Sequence, residues 1–184
     1  MGMPATIPLY TVADLDRFPE DGNRYELLDG VLLVTPAPSA MHQLLAVRLT
    51  TVLQNAVGTA GHAFVFGPGA VSFPPRTQLE PDVLVAPHSG ALSDKWQDLS
   101  GHWLAVEVIS RSSRIYDREF KRDAYLALGV GEVWLVDRWD RSVDVARADR
   151  GIETVRDALV WRPPVPGVEV RIELSELFAG LAEE

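Results

Sequence analysis

Two carboxylates stand where an apolar sheet is expected. Glu80-Pro81-Asp82 opens the run Val83-Leu84-Val85-Ala86, and Glu107 lies 25 positions after Asp82, near the end of Trp103-Leu104-Ala105-Val106-Glu107-Val108-Ile109. Both runs are short, rich in β-branched residues and bounded by Pro or Ser, the pattern of strands in a largely buried sheet. An ionised carboxylate left unpaired there is costly, so two of them at strand ends call for cationic side chains or a divalent metal between them. Mg²⁺ suits the second case, because it takes about six oxygens and usually keeps several waters. Two carboxylates and a substrate phosphate would suffice.

The cations that could serve such a pair follow Glu107. Arg111, Arg114, Arg118, Lys121 and Arg122 fall within 12 residues, either as an ordinary solvated helix face or as a patch that meets phosphate beside the two acids. Lys121 has a plain explanation, since Asp117 four residues earlier would pair with it on an exposed helix. Glu26 alternates with apolar Tyr25 and Leu27, which by itself places it at the surface. His42 falls in a first helical turn, where it can hydrogen-bond or meet a substrate phosphate. His62, His88 and His102 lack metal-ligand spacing, and Ser110, Ser112 and Ser113 sit in no Gly-x-Ser-x-Gly elbow. The glycines at 58–61 and 67–69 match no phosphate loop or dinucleotide fingerprint. Serine hydrolases and nucleotide-cofactor enzymes are disfavoured.

The elements that must position these groups can be read from periodicity and punctuation. Thr11 caps a short helix over residues 11–18, with Asp14 at its third position. Strands at 24–28 and 31–35 flank Asp29-Gly30, a dipeptide suited to a type I′ turn. Pro36 and Pro38 stop the second strand, and Ser39 caps a helix running to about residue 57, ended by Gly58. The sheet core is expected at 62–66, 70–73, 82–86 and 103–109, with a polar loop over 87–101. A helix over 115–128 should bury Tyr116, Phe120, Ala124, Ala127 and Leu128 and end at Gly129. A strand at 132–137, a hairpin of 142–148 with 152–156, a strand at 168–173 and a helix at 174–181 complete a mixed α/β pattern.

Composition sets the outer bounds. With 184 residues the chain is expected to form one domain, 1–184. It has no cysteine, which excludes disulfides and thiolate zinc sites. No stretch approaches the length of a membrane span and no secretory leader is evident, so a cytoplasmic location is expected. The net charge of −9 weighs against tight non-specific binding to nucleic acid, whose affinity comes from Lys and Arg. Metal ions and the local basic cluster would offset part of that charge.

Taken together, Pro81-Asp82 and Glu107 resemble the PD-(D/E)xK nuclease signature, in which two strand carboxylates bind Mg²⁺ and a nearby lysine activates water. Arg24-Tyr25-Glu26-Leu27-Leu28-Asp29-Gly30, Pro38-Ser39 with His42, Glu107-Val108-Ile109-Ser110, Lys121, Tyr125, Gly129-Val130 and Trp134-Leu135-Val136-Asp137 resemble the Uma-two family, over about residues 9–178. The resemblance implies a restriction-endonuclease-like αβββαβ core with added hairpins. It departs at one place: two residues after Glu107 stands Ile109, so the expected lysine must come from elsewhere, and Lys121 matches the family's lysine block. The implied site is Asp82, Glu107 and the Val108 carbonyl for Mg²⁺ or Mn²⁺, Lys121 for the attacking water, and Glu26 as a third carboxylate. His42, Arg114 and Arg118 would contact substrate. The expected activity is metal-dependent hydrolysis of phosphodiester bonds in DNA. The alternative is a catalytically silent nucleic-acid-binding or oligomeric module on the same fold. Trp139 and Trp161 offer apolar surface that, with the two-subunit habit of restriction-type nucleases, suggests a homodimer.

Overall fold

The computed structural model describes residues 8–88, 92–110 and 120–181. Its centre is a six-stranded sheet of β3 (Ala63–Phe66), β6 (Val83–Pro87), β7 (Leu104–Val108), β8 (Glu132–Asp137), β9 (Ser142–Arg147) and β10 (Gly151–Val155), in the order β10-β9-β8-β7-β6-β3. The pair β7–β8 is parallel and its neighbours are antiparallel. Every residue of β7 and β8 is buried, as expected for strands covered on both faces.

Alternation along these strands builds two cores. Leu104, Val106 and Val108 point to one face, where α1 (Ala40–Leu53) contributes Leu45, Leu49 and Leu53 and α3 (Leu174–Leu177) adds Leu174 and Leu177. The hairpin of β11 (Ala158–Trp161) and β12 (Val170–Glu173) closes that face. Ala105 and Ile109 point to the other face, toward Tyr125 of α2 (Arg122–Ala127) and toward Val71 and Leu79. Val71 and Leu79 belong to a second sheet of order β2-β1-β5-β4, built from β1 (Arg24–Leu28), β2 (Val31–Thr35), β4 (Val71–Phe73) and β5 (Thr77–Leu79). The succession α1, β3, β6, β7, α2, β8 is the expected αβββαβ core, with the β4–β5 hairpin inserted.

Several expectations need correction. The segment at 70–73 is not part of the central sheet: as β4 it pairs with β5, a three-residue strand that carries too little apolar pattern to read. The α-helical geometry of α1 ends at Leu53 and continues as a π turn over Gln54–Gly58. Phe120 is 52% exposed and Ala127 is exposed, whereas Lys121 and Tyr125 face inward. Residues 115–119, including Tyr116 and Asp117, lie outside the described residues. β11 had no counterpart in the sequence reading. The first hairpin turns as expected, with Asp29 at φ 51° and Gly30 at φ 84°, the left-handed pair a type I′ turn requires. Among the described residues, no helix is long and apolar enough to cross a membrane.

Candidate active site

The site forms where β6 and β7 part. Their ladder begins at Val83 and Val106, so Glu107 and Val108 extend past the start of β6. There the chain carries Pro81, which has no N–H to give the Val108 carbonyl and whose own carbonyl accepts the Gly69 N–H at 3.3 Å. The Val108 N–H is satisfied by a side chain instead: it donates to Asp82 Oδ2 at 2.8 Å. The other half of Asp82 is held by Arg24, whose Nη1 and Nη2 lie 3.1 and 3.2 Å from Oδ1. His42 Nε2 is 3.0 Å from Oδ2. Ser39 Oγ accepts the His42 N–H at 3.3 Å, so the cap that starts α1 also fixes the histidine beside Asp82.

Glu26 does not lie at the surface. It is fully buried, on the face of β1 that it shares with Arg24, where Lys121 and the Glu80 N–H meet its carboxylate. Glu26 Oε1 accepts the Glu80 N–H at 2.7 Å. Its Oε2 lies 2.6 Å from Lys121 Nζ, close enough for an ion pair though not aligned as a hydrogen bond. Lys121, 4% exposed, also donates to Glu107 Oε1 at 3.3 Å. Tyr125, one helical turn on, donates its hydroxyl to the same oxygen at 2.7 Å. An ammonium thus stands beside Glu107 on the face of β7 where position 109 carries isoleucine.

Arg24, His42, Glu80, Asp82, Glu107, Val108 and Lys121 share one cleft of about 530 Å³, which Arg138 and Trp139 also line. Arg138 stacks on Trp139, 4.3 Å from the ring centroid. Burial pushes the Asp82 carboxyl up, but the His42 hydrogen bond and charge, Arg24 and the Val108 N–H outweigh it and hold the group below its ordinary value. Burial and then the Glu26 charge push Glu80 up. Burial pulls Arg24 down, yet Asp82, Glu107 and Glu26 together hold its guanidinium above the ordinary value. It is a permanent cation.

Among the described residues three carboxylates, Glu80, Asp82 and Glu107, line the cleft with Arg24, Lys121 and His42, and a fourth, Glu26, pairs with Lys121. The donor set would suit a hard divalent cation: Asp82 and Glu107 offer carboxylate oxygens at adjoining strand ends, and the Val108 carbonyl leaves β7 on the same side as the N–H that meets Asp82. Among the described residues no group of three or more His, Asp or Glu converges on one point. An ion held by two carboxylates would complete its shell with carbonyl, water and substrate oxygens, as Mg²⁺ commonly does.

The structure thus brings together Asp82, Glu107, Val108, Lys121, Glu26 and His42. Arg114 and Arg118 lie outside the described residues. Arg24, Glu80 and Tyr125 had no assigned role in the sequence reading. Spacing could have found two of them, since Arg24 is two residues from Glu26 on one strand and Tyr125 is four from Lys121 on one helix.

The family model for Uma2, described as "Putative restriction endonuclease", matches residues 12–175. Among solved structures, the chain is similar to the crystal structure of "a putative nuclease belonging to DUF820" from Anabaena variabilis, with TM-score 0.74, 19% identity, and coverage of 91% of this chain and 97% of that one. At that identity the likeness bears on the fold. A search of curated proteins found no match. With most of its length matched and its cleft built where the signature carboxylates meet, this chain belongs to the Uma2 family of nuclease-like proteins with the restriction-endonuclease-like fold.

Proposed function

We propose that this protein is a Mg²⁺- or Mn²⁺-dependent endonuclease that hydrolyses phosphodiester bonds in DNA. The observation that carries the reading is Lys121, whose ammonium lies 3.3 Å from Glu107 and 2.6 Å from Glu26 in the cleft that also holds Asp82. A lysine buried to this degree beside a candidate metal ligand is positioned to orient a water and to steady developing negative charge. Asp82, Glu107 and the Val108 carbonyl would hold the ion. The ion would supply Lewis-acid polarisation of the phosphate and lower the pKa of its bound water. Glu26 anchors Lys121, and Arg24 and His42 fix the orientation of Asp82. Arg24, always charged, faces the cleft where a phosphate would enter, and Arg114 and Arg118 are retained as phosphate contacts on their sequence position alone. A homodimer belongs to this reading, although Trp161 no longer supports it: Trp161 is buried against Trp134, their rings 5.9 Å apart.

One observation favours the silent-module reading. The four bonds from Arg24, His42 and the Val108 N–H already occupy both oxygens of Asp82, so the network could stand as structure alone. Thermal denaturation with and without millimolar Mn²⁺ separates the two. Binding to the native state raises the melting temperature by mass action. The proposal expects that rise in the wild type and its loss in Asp82→Asn with Glu107→Gln. Equal stabilisation of both proteins, or of neither, contradicts it.

A further inference from the structure

Tyr125 presents a hydroxyl that packing does not need. Its ring is fully buried in the core cluster of Ile109, Val133 and Leu135, a setting in which phenylalanine would bury the same ring without a polar atom to satisfy. The hydroxyl is spent on a carboxylate: it donates to Glu107 Oε1 at 2.7 Å, an oxygen also reached by Lys121 Nζ at 3.3 Å. Lys121 and Tyr125, one turn apart on the same helical face, grip one oxygen of Glu107 from the same side.

We propose that Tyr125 is a positioning residue for the metal site, committing Glu107 Oε1 to the helix so that Glu107 meets a cation through its other oxygen. This rests on the metal reading above. A ligating carboxylate is itself held by hydrogen bonds, and loss of such a partner commonly costs 10- to 100-fold in metal affinity. Tyr125→Phe should therefore weaken Mn²⁺ binding about tenfold or more, measured by calorimetric titration with MnCl₂ alone. The effect should vanish when Glu107→Gln is already present, since the two groups act on one contact. Val133→Ala, which thins the same core without touching Glu107, should leave the Mn²⁺ affinity unchanged.

Two unnatural residues of nearly equal size at position 125 guard against a packing artefact. 4-Aminophenylalanine keeps an N–H donor and should retain Mn²⁺ affinity near the wild-type value; 4-methylphenylalanine lacks the donor and should match Tyr125→Phe. Equal affinities for this pair, or wild-type affinity in a folded Tyr125→Phe, overturn the inference while leaving the metal site intact. A wild type whose Mn²⁺ binding is absent, or survives Asp82→Asn with Glu107→Gln, overturns the metal reading and this inference with it.

Discussion

Removing the Lys121 ammonium is the sharpest perturbation available, because its two partners are buried and nearly fixed. At an effective dielectric of about 20, attractions across 2.6 and 3.3 Å come to about 6 and 5 kcal/mol, before the cost of taking the ammonium out of water. Most of that gross attraction is offset by desolvation. Breaking one partner out of a buried ion pair costs about 3–5 kcal/mol, since the remaining carboxylates are left uncompensated. For a chain of this length about 2–4 °C accompanies each kcal/mol, so Lys121→Ala should melt about 6–20 °C below the wild type in metal-free buffer. If Lys121 also acts in the reaction, single-turnover cleavage by the folded variant should fall about 10² or more. Calorimetry and a cleavage time course, both run below the variant's melting temperature, check the two effects separately. A melting temperature within about 2 °C of the wild type, which corresponds to 1 kcal/mol or less, refutes the structural argument. A large drop in stability with undiminished cleavage removes Lys121 from the chemistry and leaves it a brace.

Other outcomes follow from the same geometry. Ile109 is on the Glu107 face of the chain after β7 and lines the cleft, so Ile109→Lys placed in Lys121→Ala should recover part of the lost cleavage; a folded double variant with no recovery argues that only the helix-borne ammonium is correctly aimed. The carboxyl of Asp82 is held below its ordinary value, so its contribution is present above about pH 4 and is lost as pH falls through the lowered folded value. The gap in stability between wild type and Asp82→Asn should thus be steady above about pH 5 and narrow on further acidification; a gap that widens toward acid contradicts the assignment. Light scattering should give twice the 20.3 kDa of the chain, with Leu44 and Val47 of α1 as exposed apolar candidates for the contact; a monomer mass at micromolar concentration removes the dimer.

The sequence was most legible where local rules coincide with the fold. Apolar β-branched runs marked β6, β7 and β8, and Asp29-Gly30 marked a turn whose backbone needs two left-handed residues. It was least legible where a polar group is buried by distant chain. The alternation around Glu26 pointed to solvent because nothing local shows that the ammonium of Lys121, at the start of α2, and the Glu80 N–H arrive at that carboxylate. Likewise the helical pattern favoured Phe120 for the interior, but the ion pairs of Lys121 and the hydroxyl of Tyr125 set the inward face and leave Phe120 exposed. Arg24 was visible as a residue and invisible as a partner, since 58 positions separate it from Asp82. The pairing of β1 with β5, a strand of three residues just before Glu80-Pro81-Asp82, brings them side by side.

If Asp82 and Glu107 hold a divalent cation with which this cleft cuts DNA, as proposed, cleavage must depend on the metal and on both carboxylates. Cleavage of supercoiled, linear and single-stranded DNA by purified wild type, Asp82→Asn and Glu107→Gln, each with Mg²⁺, Mn²⁺ or EDTA, tests it most directly. Metal-dependent cleavage by the wild type is expected, abolished by EDTA and reduced about 10² or more by either substitution. Cleavage that survives EDTA or both substitutions, or no cleavage of any DNA form by a folded wild type that binds Mn²⁺, contradicts it.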